Sequence, residues 1–101
     1  MATRPLKSNE VADLAIVGAG ILGLTTALSA ARAGLSVRVL EAATLGRGAS
    51  SWNGGQVIPG LKHDPDWLVE HFGSDRGGRL VRFTGGAADR VFDLIAASRS
   101  P

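Results

Sequence analysis

The chain has no cysteine and no tyrosine, and two tryptophans and three phenylalanines are its whole stock of large aromatics. Without cysteine there is no disulfide framework, no thiolate metal site and no cysteine nucleophile, a composition that fits a reducing compartment. An excess of one charge is missing too: 11 basic residues stand against 9 acidic ones, a net charge of +2. The arginines are scattered among acids, with no interleaved aromatics, so nothing resembles the basic stripe of a nucleic-acid-binding surface. Long hydrophobic runs are also absent. The apolar stretch from Leu14 to Leu24 is broken by Gly18, Gly20 and Gly23, and it falls short of the roughly 20 residues that span a bilayer. Met1 to Glu10 is polar, carries Pro5 and lacks the apolar core of a secretory signal. These absences predict a cytoplasmic protein with neither a nucleic-acid nor a membrane partner.

What the chain has in quantity is glycine, 14 of 101 residues. Three of them fall in the stretch around which the rest is organised, Asp13 to Glu41. The apolar run Leu14 to Val17 predicts a strand buried on both faces, and Gly18, Gly20 and Gly23 follow at the spacing G-x-G-x-x-G. Gly18 allows a tight turn out of the strand, Gly20 leaves room for a pyrophosphate near the helix amides, and Gly23 lets helix and strand pack closely. Leu24, Leu28 and Ala31 recur at helical spacing, and Gly34 stands where a C-terminal cap belongs. Ser36 to Leu40 alternates as a second strand and ends at Glu41, about 20 residues past the glycines, where a ribose-binding acid is expected. A carboxylate there accepts from ribose hydroxyls and repels a 2′-phosphate, which favours FAD or NAD over NADP. The fold class predicted is α/β, a Rossmann-type βαβ segment.

With 101 residues and 45% hydrophobic content, the chain is one globular domain at most, or part of a larger one. Residues 1–10 read as a flexible leader and residues 11–101 as the N-terminal part of a dinucleotide-binding domain. Ala42 to Gly60 forms a second glycine-rich stretch, in which Gly48, Ala49, Ser50 and Ser51 place amides and small hydroxyls where a phosphate or ribityl chain could meet them, or else form a surface loop. Asp64 and Pro65 open a helix that ends at Gly73. A second helix runs from Ser74 or Asp75 with Leu80, Phe83, Ala87, Val91, Leu94 and Ile95 on one face, interrupted by Gly85 and Gly86.

His63, Asp64, Asp66, Glu70 and His71 are potential metal ligands within one segment. Their spacing argues against a site: Glu70 and His71 are adjacent and diverge on a helix, while Asp64 and Asp66 suit a cap and a first-turn acid. Ser50 and Ser51 lack the G-x-S-x-G elbow of a hydrolase nucleophile. No catalytic residue is assigned. Trp67 reads as a packing residue, and Trp52 alone is placed to line a cofactor or substrate pocket.

With both glycine stretches read, the sequence resembles the N-terminus of the FAD-dependent oxidoreductases of the D-amino-acid oxidase superfamily. Gly46-Arg47-Gly48-Ala49-Ser50-Ser51-Trp52-Asn53-Gly54-Gly55-Gln56 is similar to the loop of its gamma-glutamylputrescine oxidoreductase branch. The resemblance covers roughly Asp13 to Ile95. It implies that Gly18, Gly20 and Gly23, with the amides of Ala19 and Ile21, cradle the FAD pyrophosphate, and that Glu41 holds the adenosine ribose. It further implies that Gly48, Ala49 and Ser50 contact the phosphates or ribityl chain and that Asn53, Gly54 and Gly55 lie beside the isoalloxazine. The family's chemistry would be oxidation of the C–N bond of a small-molecule amine or amino acid to an imine. Ser51 and Trp52 stand where the branch has glycine and arginine, which bears on substrate preference. Because the family is several times longer, the 101 residues alone are expected to be incomplete and inactive; a truncated non-catalytic remnant that at most binds a dinucleotide is the alternative reading, and an NAD-dependent dehydrogenase half-domain a third.

Overall fold

The computed structural model describes residues 3–98, which gather into two units divided after Gly54. In the first unit, β1 (Leu14–Val17), α1 (Ile21–Arg32) and β2 (Val37–Leu40) form a βαβ motif. The strands are parallel, with Leu14 opposite Val37 and Val17 opposite Leu40. A reciprocal clamp fixes that register at its start. Asp13 Oδ2 accepts from the Ser36 amide at 2.8 Å and from its hydroxyl at 2.9 Å, while the Asp13 amide donates to Ser36 Oγ at 2.9 Å. At the other end the Gly18 amide donates to the Leu40 carbonyl at 2.7 Å.

Two glycines set the path of α1. A Cβ on Gly23 would collide with the carbonyl oxygen of Gly18 and touch Ile16 Cγ2 at 3.4 Å, so only glycine permits the helix to lie this close to the turn. Gly34, at φ +90°, then ends the helix in a Schellman motif: its amide donates to Ala31, and the Leu35 amide to Ala30.

The sheet is covered on one face only, which corrects the expectation that β1 is buried on both. Leu14, Ile16, Val37 and Val39 are half-buried, whereas Ala15, Val17, Arg38 and Leu40 are exposed, Val17 at 87%. The helix face turned inward is also different from the one predicted. Gly23, Ala27 and Ala30 are half-buried while Leu24, Leu28 and Ala31 are exposed, because the close approach fixed by Gly23 admits only small residues along its own stripe. Across the outer face of the sheet, Arg38 Nε meets Glu10 Oε2 at 2.6 Å, and Arg4 meets Glu10 Oε1 at 3.2 Å. Residues before β1 thus hold to β2 through an ion pair. β2 is followed by a single short helical turn, α2 (Ala49–Trp52).

The second unit comprises α3 (Pro65–Phe72), α4 (Ser74–Gly85) and α5 (Ala87–Ser98). Asp64 caps α3 as its sequence predicts, accepting the Trp67 amide at 2.8 Å, with Pro65 in the first turn and Gly73 at φ +84° ending it. Gly77 is buried against α3, where a Cβ would meet the Leu68 carbonyl oxygen and Val69 Cα at 2.5 Å. Leu68, 4% exposed, is the buried side chain of this unit among the described residues. The inward face of α4 is Gly77, Leu80, Val81 and Thr84. Phe83, predicted on the packed face, is 81% exposed, because it projects about 120° around the helix from Gly77. The helix breaks at Gly86, as its paired glycines predict. Along α3, His63, Trp67 and His71 stack as a column with ring centroids 3.9 and 4.5 Å apart.

The contact at Gly77 gives neighbouring glycines opposite expectations. Gly77→Ala should lower the unfolding midpoint, destabilising by about 1–3 kcal/mol through overpacking. Gly78→Ala, whose Cβ meets only the end of the Arg82 side chain at 3.5 Å, should stabilise by roughly 0.5–1 kcal/mol through helix propensity. Urea denaturation of the two variants checks the sign, and equal effects would place the α3–α4 crossing elsewhere.

Candidate functional site: a glycine cradle closed by Glu41 and Ser50

The turn between β1 and α1 is shaped by sequence in three ways. Gly18 takes φ +104°, a conformation that L side chains rarely adopt. Gly20 holds the N-cap position with extended backbone and no capping side chain. The dipole of the 12-residue α1 then directs its positive end at the turn.

Glu41, the first residue after β2, reaches this turn. Its Oε2 accepts the Ala19 amide at 2.8 Å and its Oε1 the Ala43 amide at 2.9 Å. The parallel register makes that reach possible, since β2 ends level with β1 and leaves its next side chain beside the next backbone turn. Hydrogen bonds from Ala19 first, then from Ala43 and Ala42, hold the Glu41 carboxyl below the usual carboxylate value, against a smaller opposing effect of desolvation. Each carboxylate oxygen carries two lone pairs, so acceptor capacity remains after these amides are bound. Glu41 is exposed.

The second glycine stretch closes on the same turn. The Gly46 amide donates to the Ala19 carbonyl at 3.1 Å, and the Ile21 amide donates to Ser50 Oγ at 3.0 Å. Gly48, at φ +108°, precedes α2, which carries Ala49, Ser50, Ser51 and Trp52. Ser51 turns back into its own loop, donating to the Gly48 carbonyl at 3.0 Å, whereas Trp52 is 82% exposed. The Asn53 side-chain amide donates to the Ser50 carbonyl at 2.7 Å. The structure therefore brings Gly18, Ala19, Gly20, Ile21, Gly23, Glu41 and Ser50 together in one place. Gly48 and Ala49 precede Ser50, and Asn53 and Gly54 close the first unit. Gly55 opens the second. Both amides singled out in the sequence, those of Ala19 and Ile21, are directed at side chains of the chain itself. That pairing carried no local sequence signal, because Ser50 lies 29 residues from Ile21.

The family description "FAD dependent oxidoreductase" (DAO) matches residues 13–100. The chain belongs to that family. It is 42% identical over 76 residues to "Probable oxidoreductase OrdL" of Haemophilus influenzae, covering 75% of the chain and 18% of the relative. It is 40% identical over 83 residues to the gamma-glutamylputrescine oxidoreductase of Escherichia coli, covering 80% of the chain and 20% of the relative. A Rhizobium meliloti protein, also named "Probable oxidoreductase OrdL", is 41% identical over 75 residues. The chain thus spans 18–20% of the length of these curated relatives. No solved structure matches it. The family match bears out the α/β fold class and the oxidoreductase reading, and FAD is the cofactor that the family's description names. Among the described residues, no helix is long and apolar enough to cross a membrane.

The carboxylates of the first unit give it an acid limit. Glu41 is lowered by its amides, Glu10 foremost by its hydrogen bond to Arg38, and Asp13 foremost by the Ser36 amide. A folded value below the unfolded one means that the stabilisation is complete above about pH 5 and is lost as the pH falls through about 4 and below. The urea midpoint of the chain should therefore be level from about pH 7 to 5 and decline below about pH 4. Glu41→Gln should remove part of that decline. Superimposable acid limbs for wild type and variant would contradict the role of Glu41 in tying the turn.

Proposed function

We propose that the chain is the dinucleotide-binding portion of a flavoenzyme that oxidises the C–N bond of an amine or amino acid. The observation that carries this is the Glu41 carboxylate fixed beside the glycine turn with acceptor positions to spare. The residues fit FAD. Gly20 has no side chain over the mouth of α1, Gly18 and Gly23 hold the turn tight against the helix, and the end of the helix dipole favours a pyrophosphate.

In this reading Glu41 accepts hydrogen bonds from the two ribose hydroxyls, and its charge excludes a 2′-phosphate. Gly48, Ala49 and Ser50 face the phosphates or ribityl chain, and Asn53, Gly54 and Gly55 run beside the ring system. When bound, the flavin supplies two-electron redox chemistry, the acceptance of hydride from the carbon bearing the amine. The chain's own residues bind and orient. An amine substrate is supported by the name of the Escherichia coli relative, which denotes a polyamine derivative. Of the two residues that depart from that branch, Ser51 is engaged within its loop while Trp52 is exposed, so Trp52 is the one in a position to alter substrate preference.

Two measurements test the proposal. Flavin fluorescence titration of the chain should show saturable FAD binding that Glu41→Ala weakens by about tenfold or more, as expected for loss of hydrogen bonds to a charged group. NADP should not compete. Equal affinity in the variant would make Glu41 a purely structural acid. For the reaction, the chain grafted in place of the matching segment of the Escherichia coli relative should retain flavin and lose its oxidised absorbance band anaerobically when an amine is added. A graft that holds flavin but responds to no amine or amino acid would contradict the C–N assignment.

A further inference from the structure

The second glycine of the motif is where the structure departs from the simplest account of why it is glycine. Gly20 has φ −80° and ψ −175°, extended backbone open to any residue, so conformation does not require glycine there. Space is the tighter constraint: a Cβ built on Gly20 would meet Ser50 Oγ at 3.0 Å, so that oxygen would have to give by a few tenths of an ångström. That same oxygen accepts the Ile21 amide, also at 3.0 Å.

The two facts have one physical cause. The first amides of any helix lack intrahelical acceptors, and a serine, threonine or aspartate at the N-cap normally supplies one. A glycine at the N-cap forfeits that group, and α1 indeed has no capping bond from its own N-cap residue. Ser50 provides the missing acceptor from 29 residues away. We propose that Ser50 is a positioning residue of the cofactor cradle: its hydroxyl latches the second glycine loop onto the first turn of α1, and Gly20 is glycine so that this hydroxyl has a seat. The bond from the Gly46 amide to the Ala19 carbonyl ties the start of the same loop, and Ser50 ties its middle. The cradle is therefore assembled before a dinucleotide arrives, which reduces the ordering cost that binding must meet. The positioning role rests on the FAD reading given above, whereas the latch is a property of the chain without ligand.

The test separates the two. Amide hydrogen exchange is measured by NMR on the full 101-residue chain without flavin, with the Gly18 amide, bonded to Leu40 at 2.7 Å, as the monitor of folding. Ile21 should be protected in the wild type. Ser50→Ala should speed its exchange on the order of tenfold while Gly18 stays slow, and Ser50→Thr, which keeps the hydroxyl, should restore protection. Gly20→Ala should expose Ile21 as Ser50→Ala does, and adding it to Ser50→Ala should change nothing more, since the displaced oxygen is already gone. FAD affinity should fall in Ser50→Ala and recover in Ser50→Thr. An unprotected Ile21 beside a slow Gly18 overturns the latch, and a Gly20→Ala variant with Ile21 still protected overturns the seat assigned to Gly20. An exchange pattern as expected with FAD affinity unmoved by Ser50→Ala overturns the positioning role. The same pattern in a chain that binds no FAD at all refutes the cofactor reading and leaves the latch standing.

Discussion

The approach of α1 to the turn that precedes it is the constraint on which the first unit depends. At Gly23 the helix passes so near the Gly18 carbonyl that no side chain fits between them. That contact aims the first turn of α1 at the end of β1 and brings the small face of Gly23, Ala27 and Ala30 onto the sheet. It also fixes where β2 must run for its last residue to pair with Val17. Glu41 reaches Ala19 only because β2 ends at that level. Ser50 reaches Ile21 only because the helix begins there. The chemistry of the cradle is thus a consequence of one missing Cβ.

The same geometry leaves much apolar surface uncovered. Parallel strands are normally covered on both faces, yet the outer face of this sheet presents Val17 at 87% exposure. Ala19 and Leu68 are the buried apolar residues among those described. With so little core, the order of the first unit comes from specific local bonds: the Asp13–Ser36 clamp, the Schellman cap at Gly34 and the carboxylate of Glu41 on the turn. All are polar, and each is modest alone. Such a unit is sensitive to single atoms. That sensitivity explains why a glycine, a serine hydroxyl and one carboxylate decide its structure more than any hydrophobic contact does.

Local signals were legible in the sequence and relations between distant segments were not. The two strands, the helix between them, the cap at Gly34, the Asp64–Pro65 start of α3 and the break at Gly86 all follow from spacing, capping chemistry and glycine placement. The family followed from the resemblance carried by the second glycine stretch, Gly46 to Gln56, since the order of strand, glycines, helix, strand and acid by itself points only to dinucleotide binding. Burial was less legible. Leu24 and Leu28 have the right period for a packed stripe, but the stripe that packs is set by Gly23, which periodicity does not weigh. Phe83 failed for a similar reason, since Gly77 rather than hydrophobicity selects the inward face of α4. The engagement of the Ala19 and Ile21 amides by Glu41 and Ser50 is a property of tertiary register.

The proposed function requires residues 18–23 and Glu41 to form one dinucleotide site. Amide chemical-shift mapping of the isotopically labelled chain during titration with FAD tests it most directly. Saturable shifts are expected, largest at Gly18, Gly20, Leu22, Gly23 and Glu41, with the amides of α4 and α5 left in place. Shifts concentrated around Lys62 to Pro65 instead, or no saturable shift in the glycine turn, would contradict it.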